Sequence, residues 1–212
     1  MKQHTDNHEI RNLIFDFGKV LVDYDFEPPI QRFFKDADKA RRFLEIVCDD
    51  GFIDRCDLEA MPFAEIIEDM KSKHPEFADA FDNFRDNYCD FVTGEVDGMH
   101  ELLSRLKTMG YRLYGLTNWC SKVYDIIAQY EIFGLLDGYV VSSDVKQIKP
   151  DKAIYQTLCD KFNLNPEECV FADDKRKNID GAIAAGMKGI LFTSASNYEK
   201  QLMPLISERV SL

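Results

Sequence analysis

Apolar and polar positions along this chain follow two different periods, and the change between them divides it. Leu13-Ile14-Phe15 is a continuous apolar run closed by Asp16, with Gly18 two residues on. A short apolar run bounded by turn signals reads as a strand buried on both faces. Val20 to Asp25 reads as a hairpin-like excursion, broken at Glu27-Pro28-Pro29. From Ile30 to about Val92 the spacing is helical. Phe33, Phe34, Phe43, Leu44, Ile46 and Val47 predict two short amphipathic helices, and Phe63, Ile66, Ile67 and Met70 a third. Phe77, Phe81, Phe84, Tyr88, Phe91 and Val92 predict a fourth. This aromatic stripe reads first as the core of a helical bundle and second as the wall of a ligand pocket.

After Thr93-Gly94 strands and helices alternate. Met99 to Met109 is a helix stopped by Gly110, and Tyr111 to Leu116 a strand. Ser121 to Tyr130 is a helix with Ser121 as its N-cap. Tyr139 to Ser142 is a strand, Lys152 to Phe162 a helix, and Val170 to Asp173 a strand. Asn178 to Ala185 is a helix closed by Gly186, followed by a strand at Lys188 to Phe192 and a helix at Tyr198 to Val210. Repeated strand-helix order predicts an α/β fold, a parallel sheet covered on both faces. The expected organisation is a core from residues 10–26 and 93–212, with residues 27–92 inserted as a helical cap over its ligand-binding edge.

Open α/β sheets bind ligands beyond the carboxyl ends of their strands, and the polar residues there form a set. Asp16 ends the first strand, Thr117-Asn118 ends a second, Lys149-Pro150 lies past a third, and Asp173-Asp174 ends a fourth. Singly, each has an ordinary explanation: a turn cap, a helix N-cap, a solvated loop lysine, a surface charge run beside Lys175, Arg176 and Lys177. Together they supply a nucleophile, a hydroxyl donor, a cation and an acid pair, which is what phosphoryl transfer through a phospho-enzyme needs. In that reading Asp16 attacks phosphorus. Lys149 pairs with the phosphoryl oxygens, while Thr117 and Asn118 donate hydrogen bonds to them. Mg²⁺, which favours oxygen ligands, is held by Asp16, a backbone carbonyl near Gly18, and Asp174, with Asp173 a direct or outer ligand. Asn178, four residues after Asp174, could steady the acidic loop or the metal's waters.

Composition narrows the partners. The 212 residues carry a net charge of -12, which argues against nucleic acid and against anionic membrane surfaces, both of which call for a basic face. A small phosphorylated metabolite needs only local positive charge. Cys48, Cys56, Cys89, Cys120, Cys159 and Cys169 show neither C-x-x-C nor zinc spacing, as expected of reduced cysteines in a cytoplasmic protein. Met1 to Glu9 is polar, reading as a loose tail and not a signal peptide, and no apolar stretch reaches membrane-span length. The four histidines form no cluster. Arg32, Arg41, Arg42, Arg55 and Lys71 could reach a substrate, but a solvated helix face is the more ordinary fate for them.

The segments FDFGKVLVDYD, LTNWC, IKPDKAIY and FADDKRKNIDGA resemble, in order, the four motifs of the haloacid dehalogenase-like (HAD) hydrolase superfamily. The match covers residues 12–26 and 94–193, and the helical block falls where that family carries its cap. The nearest resemblance is to the bacterial branch containing α-D-glucose-1-phosphate phosphatase, and more distantly to the phosphatase domain of soluble epoxide hydrolase. It implies a Rossmann-like core, a C1-type helical cap, Mg²⁺ dependence and an aspartyl-phosphate intermediate, with Asp16, Thr117, Lys149 and Asp174 in the roles above. One position departs. Most phosphatases of the family carry a second aspartate two residues after the nucleophile, as acid and base; here it is Gly18. General acid help is worth about 10²–10⁴-fold and matters most for poor leaving groups, so the departure points to sugar 1-phosphates or similarly activated esters. The alternatives are a catalytically impaired module that binds phosphate or a partner, and a haloacid dehalogenase. The latter is weaker because resembling dehalogenases do not need Asp173-Asp174. A phosphoglucomutase is disfavoured by the missing aspartate.

Overall fold

The computed structural model describes residues 9–206; the expected tail up to residue 8 and the last helix beyond residue 206 lie outside the described residues. Within them the chain runs β1 (Asn12–Phe15), β2 (Val22–Tyr24), then five helices, α1 (Glu27–Phe33), α2 (Ala37–Val47), α3 (Asp50–Leu58), α4 (Phe63–Lys73) and α5 (Ala78–Asp86). It continues through β3 (Val92–Glu95), α6 (Met99–Thr108), β4 (Arg112–Thr117), α7 (Val123–Ile127), β5 (Gly138–Val141) and α8 (Ser142–Val145). The last elements are α9 (Lys152–Phe162), β6 (Cys169–Asp173), α10 (Arg176–Ala184), β7 (Lys188–Leu191) and α11 (Ala195–Ile206).

Five strands form one parallel sheet in the order β5-β4-β1-β6-β7. The fold is therefore α/β. Side chains of a strand alternate between faces, and here both faces are buried. Leu13, Phe15, Leu113, Val170 and Ala172 join one core, which takes in α6 and α11. Ile14, Tyr114, Leu116 and Phe171 join the other, against α9 and α10. That explains the unbroken apolar run of β1. The chain leaves β1 for β4 and β5 on one side and returns to β6 and β7 on the other, so strand order reverses beside β1. Crevices at such reversals are where open α/β sheets take ligands.

The helical block lies between β2 and β3, which pair antiparallel (Val22 with Glu95, Asp23 with Gly94). Two short strands thus carry the chain out and back. The aromatic stripe is the block's core: Phe43 meets Phe81 edge to face at 4.9 Å, and Phe84 meets Phe91 at 5.0 Å. The fourth predicted helix is shorter than its spacing suggested. It ends at Asp86, Tyr88–Phe91 form a 3₁₀ turn, and Val92 opens β3. α3 carries no strong apolar stripe, burying only Phe52 and Cys56, and periodicity missed it. Ser121 does not cap α7, which starts after Lys122 with no side-chain cap; its N–H and hydroxyl both donate to Glu59 instead. Gly110 stops α6 in a left-handed conformation (φ 89°). No helix among the described residues is long and apolar enough to cross a membrane.

Candidate active site

The strand register assembles the site. β1 pairs Phe15 with Gly115 of β4 and with Ala172 of β6. One residue further, the Asp16 N–H donates to the Ala172 carbonyl (2.9 Å), which sets Asp16 beside Asp173 at the crevice. The carboxylates of Asp16, Asp173 and Asp174 bring ligand oxygens within 4.8 Å of one another.

Lys149 is drawn into the same place. Its ammonium is buried and reaches Asp16 Oδ1 at 2.9 Å, Asp173 Oδ2 at 2.7 Å and the Leu116 carbonyl at 2.9 Å. Burial opposes its charge, yet Asp16 and Asp173 outweigh this and hold its pKa above the usual lysine value. Asn118 positions that lysine: its amide donates to the Lys149 carbonyl (3.0 Å) and accepts the Lys149 N–H (2.8 Å). Asn118 therefore braces the lysine loop, with one amide hydrogen left for a ligand.

Asp173 is fully engaged. Asn178 donates to both its oxygens at 2.9 Å, Lys149 to Oδ2, and the Lys175 N–H to Oδ1 (2.8 Å). Asn178 is itself fixed where its carbonyl accepts the Tyr155 hydroxyl (2.7 Å). Asp16 Oδ1 also accepts the Phe17 N–H (2.7 Å). Burial, with Asp173 and Asp174 adding to it against the pull of Lys149, raises the Asp16 pKa to about 7. Burial and Asp173 also raise Asp174. Three carboxylates thus converge, two of them on one buried ammonium, and form a hard-oxygen donor set of the kind Mg²⁺ takes. Thr117 Oγ1, at the end of β4, is buried with no hydrogen-bond partner among the described residues; a phosphoryl oxygen is one group it could serve.

Asp16, Gly18, Asn118, Asp174 and Asn178 line one cavity, which is lined also by Phe26 and, from the helical block, by Val47, Phe52, Phe63, Phe84 and Tyr88 among others. The aromatic stripe is thus both core and pocket wall. Arg41, Arg42, Arg55 and Lys71 pair instead with Asp38, Glu76, Asp69 and Asp82. Neither these four nor Arg32 lines the cavity. Its cations are Lys175 and Lys177, which sequence reasoning treated only as a charge run beside the acids. It also missed Asp57 and Glu59, because both lie in or just after the helix it did not see. Glu59, in a left-handed conformation (φ 44°), ties the helical block to the sheet. Its carboxylate accepts the Ser121 N–H (2.6 Å), the Ser121 hydroxyl (2.9 Å) and the Phe63 N–H (3.1 Å), and its carbonyl accepts the Lys146 ammonium.

Residues 10–186 match the family described as haloacid dehalogenase-like hydrolase. The chain is 29% identical over 110 residues to flavin mononucleotide hydrolase 1 of Arabidopsis thaliana, a stretch covering 52% of this chain and 45% of that protein. It is 30% identical over 116 residues to a phosphoglycolate phosphatase of Haemophilus influenzae, covering 54% of this chain and 51% of that one. The chain thus spans about half the length of these curated relatives. A Bacteroides thetaiotaomicron HAD family enzyme, solved with magnesium and inorganic phosphate, superposes with a TM-score of 0.70 at 20% identity, covering 87% of this chain and 95% of that one. At that identity the likeness is one of fold.

Proposed function

The chain belongs to the haloacid dehalogenase-like hydrolase family, and from that premise we propose that it is a Mg²⁺-dependent phosphomonoesterase acting on a small phosphorylated metabolite. The observation that carries this reading is the convergence of Asp16, Asp173 and Asp174 within 4.8 Å of one another, with buried Lys149 bridging Asp16 and Asp173, at the strand-order reversal. Relatives named as a flavin mononucleotide hydrolase and a phosphoglycolate phosphatase support a hydrolase of this class.

Residues 27–92 act as the cap, closing the cavity over Asp16. Asp16 is the nucleophile: an Oδ attacks phosphorus, and the P–O bond to the leaving group breaks, leaving an aspartyl phosphate that water then hydrolyses. Lys149, shared between Asp16 and Asp173, aims one Asp16 oxygen and faces the incoming phosphoryl group. Thr117 Oγ1 donates to that group, and Asn118 keeps Lys149 in place. Asp16, Asp174 and the Gly18 carbonyl are the ligands we assign to Mg²⁺. Asp173 is a further candidate, although its oxygens already serve Lys149, Asn178 and Lys175. Bound there, the ion would offset the negative charge that carboxylates and phosphate bring together. The substrate is narrowed to a sugar 1-phosphate, as the resemblance to the glucose-1-phosphate branch suggests, only if nothing replaces the acid missing at Gly18. Six free cysteines suit a cytoplasmic setting.

Release of p-nitrophenol from p-nitrophenyl phosphate, with Mg²⁺ and then with EDTA, tests the reading. Metal-dependent release that vanishes in Asp16→Asn is expected. No release from this ester or from a panel of metabolite phosphates would leave the impaired phosphate-binding module instead.

A further inference from the structure

The packing around position 18 opposes an acid there. A Cβ built on Gly18 would lie 2.9 Å from the Tyr24 ring and 3.6 Å from Trp119. The Tyr24 ring is not free to yield. Lys19 lies over it at 4.7 Å and donates to the Tyr24 carbonyl (2.6 Å), and Trp119 and Phe26 pack edgewise on it. If the phosphomonoesterase reading holds, the proton for the leaving group must come from elsewhere in the cavity.

Among the carboxyl, phenol and thiol groups of its wall the candidates are few. Asp16 and Asp174 belong to the acidic triad. Burial lifts the Tyr24, Tyr88 and Cys56 pKa values far above neutrality, so none of the three exchanges a proton readily there. Asp50 and Asp54 are exposed at the rim. Asp57 remains. It sits in the last turn of α3, half-buried, on the cavity wall. Its carboxylate has neither hydrogen bond nor ion pair among the described residues, whereas its backbone is pinned. The Ser142 hydroxyl donates to the Asp57 carbonyl (2.5 Å), and two residues on Glu59 is locked to Ser121 and Lys146. A pinned backbone bearing an unpartnered acid gives no packing reason for the carboxyl.

We propose that Asp57, supplied by the cap, is the acid and base that replaces the aspartate usual at the position of Gly18. As Asp16 attacks phosphorus and the ester P–O bond breaks, the Asp57 carboxyl gives its proton to the departing oxygen, which leaves as an alcohol. The Asp57 carboxylate then takes a proton from the water that attacks the aspartyl phosphate. The Asp16–phosphorus bond breaks with its electron pair returning to Asp16, phosphate is released, and Asp57 is again protonated. Its surroundings suit this cycle. Burial, helped by Asp54 and opposed by Lys175, Lys149 and Lys177, raises it to about 7, so both forms are accessible near neutrality. Activated esters are then no longer the only substrates within reach.

The test compares the full chain with Asp57→Asn in Mg²⁺, using kcat/KM, which covers steps through leaving-group departure. The substrates are p-nitrophenyl phosphate, phenyl phosphate and glycerol phosphate. Expected is a loss of about 10²–10⁴-fold for the alkyl ester, less than about tenfold for p-nitrophenyl phosphate, and phenyl phosphate between. The melting temperature should hold or rise, since a half-buried carboxyl without a partner is removed. An equal loss on all three esters, or none on any, overturns the role of Asp57 while leaving the phosphatase reading intact. A wild-type chain inactive on every ester overturns both.

Discussion

Lys149→Met removes the ammonium that Asp16 and Asp173 share and keeps most of the side chain's length. The Lys149 and Asp173 side chains are 0% exposed and that of Asp16 is 11% exposed, so water cannot take over the lost interaction. Removing one partner of a buried ion pair costs about 3–5 kcal/mol because the other charge is left uncompensated. Two carboxylates depend on this lysine, and the Leu116 carbonyl also loses a donor, which places the change near the top of that range. For a chain of this size each kcal/mol moves the melting temperature by about 2–4 °C, so a fall of roughly 10–20 °C is expected at pH 7. An exposed pair would cost less than about 1 kcal/mol. Urea and thermal unfolding in EDTA measure it. Adding Asp173→Asn should recover part of the loss, because one stranded charge disappears. Lowering the pH should shrink the deficit: burial raises the folded pKa of Asp16 to about 7 even with Lys149 present, so its penalty applies in full above that value and fades as Asp16 takes up a proton. A cost under 1 kcal/mol, insensitive to Asp173→Asn, would refute the shared-ammonium argument.

Four further outcomes are expected. Asp16→Asn should lower p-nitrophenyl phosphate turnover by at least about 10³-fold with its fold retained by circular dichroism. Mg²⁺ at a hundredfold over its dissociation constant should stabilise the chain by about 2.7 kcal/mol, a shift that calorimetry should find missing in Asp174→Asn. Glu59→Ala strands the Ser121 and Phe63 donors and should cost about 2–4 kcal/mol, read by urea unfolding, while Glu59→Gln, which keeps an acceptor, costs less. Gly18→Asp drives its Cβ against the Tyr24 ring and should lose about 1–3 kcal/mol without a gain in kcat on alkyl phosphates. Tyr24→Ala in the same chain should relieve the instability.

The parallel sheet was legible in the chain because its strands are buried on both faces, and burial of that kind writes itself as short apolar runs between helical periods. Leu13 to Phe15 and Val170 to Ala172 need no knowledge of their neighbours to be read as strands. The polar residues just past them were legible as candidates for the same reason: a strand end marks where chemistry can stand. That Asp16 and Asp173 meet was decided by strand register, and that Lys149 reaches both by the Asn118 brace on its loop, and each depends on contacts between segments far apart in sequence. α3 stayed hidden because it buries little of itself, and with it went Asp57 and Glu59, whose positions follow from docking the helical block on Ser121, Ser142 and Lys146. Ser121 looked like a helix cap since local pattern is blind to a partner at Glu59. Position 18 shows the division most plainly. Its lack of a carboxyl is a fact of the sequence, but that Tyr24 fills the space, and that Asp57 faces the same cavity, could be settled only by three-dimensional packing.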